Sequence, residues 1–214
     1  MPRYAHVPGP TIRRLSLYLR QLESLRADGH ATISSQQLGK ALRVTDAQVR
    51  KDLAYFGQFG RPGLGYRVDE LIEQARLILG TNRVWATALV GAGNLGRALA
   101  AYRGFAGRGF RIAAVFDTNL SFVGRPLPQS AGLVVRPMSE LSSVIAGEQI
   151  RIGIVAVPAA EAQVTAERLL SAGVLGLLNF APVALDTPPG VPVVSVDLAV
   201  HFEQLAFQVA ELSS

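Results

Sequence analysis

Residues 89–102 read LVGAGNLGRALAAY. Three glycines, Gly91, Gly93 and Gly96, follow the apolar run RVWATALV and precede a segment of helical composition. The spacing predicts a strand, a tight turn and a helix. Gly91 permits the turn, Gly93 lets a ligand approach the backbone, and Gly96 lets helix and strand pack closely. Backbone N–H groups around such a helix start, here those of Ala92, Asn94 and Leu95, suit a pyrophosphate, which the helix dipole also favours.

A second strand, FRIAAVFD, ends in Asp117, 21 positions after Gly96. A carboxylate at that point accepts from adenosine ribose hydroxyls and repels a 2′-phosphate. Thr118 and Asn119 follow with no arginine. NAD or NADH is therefore expected rather than the phosphorylated cofactor. Further strands are expected in GLVV (132–135), IRIGIVAVP (150–158), VLGLLNFAP (174–182) and VPVVSVD (191–197). Helical stretches lie between several of them, notably AEAQVTAERLLSAG, and this alternation predicts an α/β fold with a doubly wound parallel sheet. Ligands on such a sheet meet the carboxyl ends of its strands. Here those ends are Gly91, Asp117, Val157 with Pro158, and the turn Asn179, Phe180, Ala181 and Pro182. Asn179 either offers its amide to a nicotinamide or holds its own turn.

Residues 10–80 have a different grammar, and the joint lies near LGTNR, 79–83. A first helix is expected from about Pro10 to Ala27, with Ile12, Leu15, Leu19, Leu22 and Leu25 on one stripe. A second opens at Ser34, where Ser34 and Gln37 have capping-box spacing, and carries Leu38, Ala41 and Leu42 inward. Thr45 and Gln48 repeat that spacing and start a third helix, TDAQVRKDLAYFG. Two short helices so closely joined predict a helix-turn-helix. On the third helix Val49, Leu53 and Phe56 face inward, and Lys51 lies opposite with Gln48, Arg50 and Tyr55 beside it. Gln48 and Lys51 suit base edges in a major groove, whereas Arg50 and Tyr55 suit phosphates. Asp52 is expected to hold a neighbouring arginine. The stretch GQFGRPGLGYRV, 57–68, is expected as a hairpin with Arg61 near its tip, a wing that can enter a minor groove.

Charge follows the same division. The formal net charge is +5, and residues 1–80 hold 12 basic against 7 acidic side chains while the remainder is balanced. Clustered positive charge points to a polyanion such as DNA. Cysteine is absent, which excludes disulfides and thiolate metal sites, and no H-E-x-x-H spacing occurs, so no metal is expected. No apolar run is long enough to span a membrane, and the first residues, MPRYAHVPGP, lack the apolar stretch of a secretory signal. A cytoplasmic location is the corresponding expectation. His6, His30 and His201 are scattered, and none stands at a strand end where it could serve a nicotinamide. The expected cofactor is thus bound without turnover, and the chain is read as a sensor rather than an enzyme. Two alternatives stand beside it. A nicotinamide-dependent oxidoreductase would need a proton donor at a strand end. A CoA-binding regulator on the same sheet would set Asp117 against a 3′-phosphorylated ribose.

The segments QVRKDLAYFGQFGRPGLGYRV, VGAGNLGRALAAY, VFD, VAVP, LLNFAP and VDLAVHFEQLAF occur in this order. Together they resemble the Rex family, the redox-sensing transcriptional repressors of bacteria, from about residue 10 to residue 210. The resemblance implies a winged helix-turn-helix DNA-binding domain over residues 1–80 and a Rossmann NAD(H)-binding domain over 81–196. It implies a C-terminal helix, 197–214, exchanged between the subunits of a homodimer. Such a protein binds double-stranded operator DNA, an inverted repeat, when NADH is scarce, and NADH releases it. The Thr45–Tyr55 helix would read the operator. Asp197 would switch between Arg20 of the first helix and Tyr102 of the Rossmann helix. Leu198 departs from relatives that place an aromatic residue there. Leu198, Phe202, Leu205, Phe207 and Val209 give the last helix apolar positions on more than one side, and such a helix must be enclosed.

Overall fold

The computed structural model describes residues 4, 7–60, 65–130 and 132–212. Two units divide the chain, Met1–Arg83 and Val84–Ser214. In the first, helix α1 (Gly9–Ala27) has a proline in its first turn and buries Thr11, Leu15, Tyr18, Leu19 and Leu22. Ile12 and Leu25 are only half-buried. Two hydroxyl residues therefore sit in a stripe that the leucine spacing alone defines. Strand β1 (Thr32–Ile33) leads to α2 (Ser35–Leu42) and α3 (Asp46–Ala54), the helix-turn-helix pair. Leu38 and Gly39 take the inner face of α2, so Ala41 points outward rather than inward. Strand β2 (Tyr66–Arg67) and helix α4 (Val68–Leu79) complete the unit.

β1 pairs antiparallel with β2, Ile33 opposite Tyr66. Among the described residues this pairing joins the strand before α2 to the chain after α3. Arg61 and the tip of the expected wing lie outside the described residues. Leu15, Leu22, Leu38, Val49, Leu53, Val68 and Ile72 close the core.

The second unit is a six-stranded sheet. Its strands are β3 (Trp85–Val90), β4 (Phe110–Asp117), β5 (Val135–Pro137), β6 (Ile152–Val155), β7 (Gly176–Asn179) and β8 (Val193–Ser195). Helices α5 (Asn94–Ala101), α6 (Leu141–Gly147) and α7 (Ala159–Ser171) and a 3₁₀ turn (Arg103–Arg108) connect them, and α8 (Leu198–Leu212) follows. The spatial order is β5-β4-β3-β6-β7-β8 with every pair parallel. The order reverses between β3 and β6, which is where such sheets open a crevice for ligands. Central strands are apolar on both faces because helices cover both. Ala88 and Val90 pack on one side with Phe116, Val155, Ala162 and Leu169, and Leu89 packs on the other with Val115 and Ile154.

Several element ends differ from expectation, and the strands after β4 are shorter than their apolar runs. Val134 makes an antiparallel bridge to Pro126, so β5 begins at Val135. Tyr102 is extended (φ −74°, ψ 106°), so α5 ends at Ala101 and Tyr102 lies just past this helix instead of within it.

Candidate functional site

Gly39 allows α2 to close on the turn that starts α3. A Cβ there would lie 2.6 Å from the Val44 carbonyl oxygen. Ser34 and Gln37 form a complete capping box at α2, with bonds of 3.1 and 2.9 Å. At α3 only half the box exists. Thr45 accepts the Gln48 N–H at 3.1 Å, but the Gln48 side chain turns the other way and donates to Asp52 at 2.9 Å.

Asp52 explains that turn. It is 1% exposed. It accepts from Thr11 Oγ1 (3.1 Å), Tyr18 Oη (2.7 Å), Gln48 Nε2, and Arg14 through Nε (2.6 Å) and Nη2 (2.8 Å). Burial pushes this carboxyl up, but the bonds from Arg14, Tyr18 and Gln48 outweigh it and hold Asp52 below the usual carboxylate range. Burial, and then the bond to Asp52, pushes the Tyr18 phenol up. The bond to Asp52 likewise raises Arg14. The arginine expected beside Asp52 is therefore Arg14 of α1, 38 positions away in sequence, and not a neighbour on α3.

This hub engages Gln48, whose half-buried side chain donates one bond to Asp52 instead of standing free on the helix surface. The exposed face of α3 is Ala47, Arg50, Lys51 and Ala54, a stripe at helical spacing. Ala47 and Ala54 belong to it and escape a search for polar residues alone. Tyr55 caps the helix and is half-buried.

In the second unit a cleft of about 510 Å³ opens at the switch point. Gly91, Gly93, Asp117, Val157 and Pro158 line it, together with Thr118, Phe122, Met138, Glu161, Val164 and Arg168. Gly91 has φ +106°, and a Cβ there would meet the Ala156 carbonyl; a Cβ on Gly96 would meet the Gly91 carbonyl. Gly93 differs from both, because its Cβ would enter open space with nothing within 4 Å. The Asp117 carboxylate accepts from the N–H of Ala92 at 2.6 Å and of Asn119 at 2.7 Å, which fixes it beside the glycine turn. Arg97 donates to the Asn94 side chain at 2.6 Å, and its guanidinium lies 5.5 Å from the Phe122 ring centroid.

Sequence reasoning missed the wall built by α7. Glu161, Val164, Thr165 and Arg168 fall three, four and seven positions apart on one helix face, and that spacing is the available signal. Arg168 also brings to the cleft the cation that is absent after Asp117 in sequence.

The turn after β7 behaves differently. Asn179 is 0% exposed. Its amide donates to the Ala181 and Val183 carbonyls (3.2 and 2.8 Å) and accepts the Ala181 N–H (2.9 Å). Asn179 therefore holds its own turn and offers no group to a nicotinamide. Ala181 and Ala92 are buried, and neither they nor Asn94, Leu95, Gly96, Phe180 and Pro182 line the cleft wall.

The three switch positions each have a local setting. Arg20 is exposed on α1. Tyr102 is 60% exposed and packs edge-on against Phe105 with ring centroids 4.9 Å apart. Asp197 accepts the Ala199 N–H at 2.9 Å, which starts α8. No residue of α8 is buried. Among the described residues no cluster of three metal-ligating side chains occurs, and no helix is long and apolar enough to cross a membrane.

Comparison with known proteins adds names to this geometry. Residues 6–54 match the family model "Putative DNA-binding protein N-terminus", and residues 82–183 match "CoA binding domain". A protein of Carboxydothermus hydrogenoformans named redox-sensing transcriptional repressor Rex is 50% identical over 203 residues, 95% of this chain and 96% of its own. One of the same name in Streptomyces coelicolor is 44% identical over 94% of this chain and 77% of its own. Among solved structures, RSP in complex with NAD⁺ and operator DNA has a TM-score of 0.89 and 36% identity, covering 97% of this chain and 94% of that one. RSP in complex with NADH has a TM-score of 0.86 and 35% identity, covering 97% and 96%.

Proposed function

The chain belongs to the Rex family of redox-sensing transcriptional repressors, and on that premise we propose that it binds operator DNA through α3 and releases it when NADH occupies the cleft of the second unit. The observation that carries this reading is the open space above Gly93. At the start of a helix whose first-turn N–H groups lack intrahelical acceptors, that space is a cradle for a pyrophosphate. Asp117, held by two N–H groups with its carboxylate toward the cleft, receives the adenosine ribose and disfavours a 2′-phosphate. The bound dinucleotide supplies the redox state that is sensed. This chain's residues position it and turn over nothing, because none of the cleft-lining side chains is a histidine, cysteine or lysine placed to serve a nicotinamide. The CoA-binding alternative is disfavoured by the same carboxylate.

Operator binding calls for a second copy. Leu198, Phe202, Leu205, Phe207 and Val209 are all exposed on α8, and a homodimer that exchanges this helix would cover them. Two copies of α3 then face an inverted repeat whose half-sites lie about 10 bp apart or a multiple of that. Such work places the protein in the cytoplasm with its DNA.

Asp197 is the proposed switch, bonding to Arg20 in one arrangement and to Tyr102 in the other. A full reversal of the populations needs about 5.5 kcal/mol of differential affinity, whereas one charge-assisted bond supplies about 1.5–3. Contacts to the dinucleotide and packing of α8 must carry the rest. The test is titration of NADH and NAD⁺ into the protein bound to a labelled inverted repeat. NADH is expected to release the DNA with no NADH consumed; steady consumption, or release by neither nucleotide, would overturn the proposal.

A further inference from the structure

The reading of α3 as the operator-facing helix says which surface meets DNA, and how Arg50 is held says what that surface recognises. Arg50 is 55% exposed and lies one turn into α3, the part of a helix-turn-helix that meets base edges. Its Nη1 donates to Asp46 Oδ2 at 2.7 Å and to Ser35 Oγ at 3.1 Å. Both bonds leave from the same nitrogen and account for its two hydrogens. A guanidinium carries five N–H donors in one rigid plane. The Nε and Nη2 edge, which carries the other three, makes no hydrogen bond or ion pair among the described residues. Asp46 opens α3 and Ser35 opens α2, so two helices hold one end of the guanidinium.

We propose that Arg50 reads a guanine through this remaining edge, bidentate to O6 and N7, and that Asp46 and Ser35 are positioning residues that set the edge. The proposal rests on α3 lying in the groove.

Charge separates this from a phosphate contact. Asp46 is held ionised by its bond to Arg50 and by the Ala47 N–H. A carboxylate 2.7 Å from the guanidinium cancels much of the field that would draw a phosphate, and repels the phosphate itself. Guanine O6 and N7 are neutral acceptors and suffer little of that repulsion, while the two-point geometry they require is the one a fixed fork supplies. Exposed ion pairs add little stability. The consequence of this one is orientation. Lys51, beside it on the same face, has no such fork and remains a mobile point charge.

The test begins with duplexes selected from a random pool by the intact wild-type protein. In the selected sequence each guanine is replaced in turn by 7-deazaguanine, which removes only the N7 acceptor. One guanine per half-site is expected to lose about tenfold in affinity. That loss should disappear in Arg50→Lys and persist in Lys51→Ala. Asp46→Asn should reduce the loss several-fold while affinity for a scrambled duplex stays level or rises, and Ser35→Ala should act in the same direction but less. If Asp46 were only a surface acid, Asp46→Asn would strengthen both duplexes alike and keep full sensitivity to N7. That result, or N7 sensitivity that survives Arg50→Lys, or a wild type indifferent to every N7, would overturn the proposal. A pool that yields no preferred sequence would instead remove the DNA-reading role of α3 itself.

Discussion

The cleft of the second unit and the reading face of the first are built from different materials. At the cleft the shape is set by backbone: Gly91 at positive φ, Gly96 against a carbonyl, Gly93 under open space, and Asp117 fastened by two N–H groups. On α3 the directions of Gln48 and Arg50 are set by other side chains. Asp52 draws Gln48 inward, Asp46 and Ser35 hold one end of Arg50, and Lys51 is left projecting. Backbone constraints follow from glycine spacing within a dozen residues. Side-chain directions depend on partners that arrive from elsewhere in the chain.

The largest effect expected from this contrast lies at the side-chain hub. Asp52→Ala leaves Arg14 without its buried partner and should destabilise the first unit by about 3–5 kcal/mol in denaturant unfolding. Asp52 also fixes the acid response. Its folded pKa is depressed, so its stabilisation is fully present above the unfolded value, about pH 4, and is lost as pH falls through the lower folded value. The wild type should therefore lose stability as pH falls below about 4 more steeply than Asp52→Asn. Parallel acid unfolding curves for the two proteins would show that the hub is not the source.

At the cleft, Gly96→Ala forces a methyl toward the Gly91 carbonyl and must part helix from strand. The expected cost is about 1–3 kcal/mol in stability, the range for overpacking, and NADH binding should weaken with it. Calorimetry that gives wild-type NADH affinity for this variant would break the backbone account of the cleft.

These two sites also mark how far sequence alone reaches. The parallel sheet, the fingerprint turn and Asp117 at the end of β4 are legible because strand periodicity and glycine stereochemistry are local. The leucine stripe of α1 is legible for the same reason. Thr11 and Tyr18 within that stripe are not, because their burial follows from the Asp52 carboxylate 41 and 34 positions away. Gln48 illustrates the same limit: its spacing from Thr45 suggests a capping box, yet a carboxylate one turn further on takes its amide. Asn179 reads equally as ligand contact or turn former until three short bonds to its own loop decide it. The α7 wall needed the fold, since nothing near Asp117 in sequence announces Arg168.

Smaller effects sharpen the comparison. Lys51→Ala should cost about 1–3 kcal/mol of operator affinity if the ammonium reaches a base. If it meets only phosphate, specific and non-specific binding should fall together and the salt slope should flatten by about one. Gln48→Ala should change operator affinity less than Lys51→Ala does, with its main effect on stability, because Gln48 is engaged by Asp52. Equal losses in competition binding for the two variants would return Gln48 to the reading face. Asp117→Ala should weaken NADH and narrow its margin over NADPH while leaving operator affinity without nucleotide unchanged. Unaltered selectivity between the two nucleotides would remove Asp117 from the ribose site.

Coupling between two differently built sites is reciprocal, and reciprocity gives the direct test. Whatever factor NADH imposes on operator affinity, operator must impose on NADH affinity. The measurement is the NADH dissociation constant of the wild-type protein by calorimetry, alone and with saturating operator duplex. NADH is expected to bind more weakly on DNA by the factor found in the operator titration, about 5- to 150-fold for ordinary coupling. NADH affinity that is the same with and without operator would contradict this coupling.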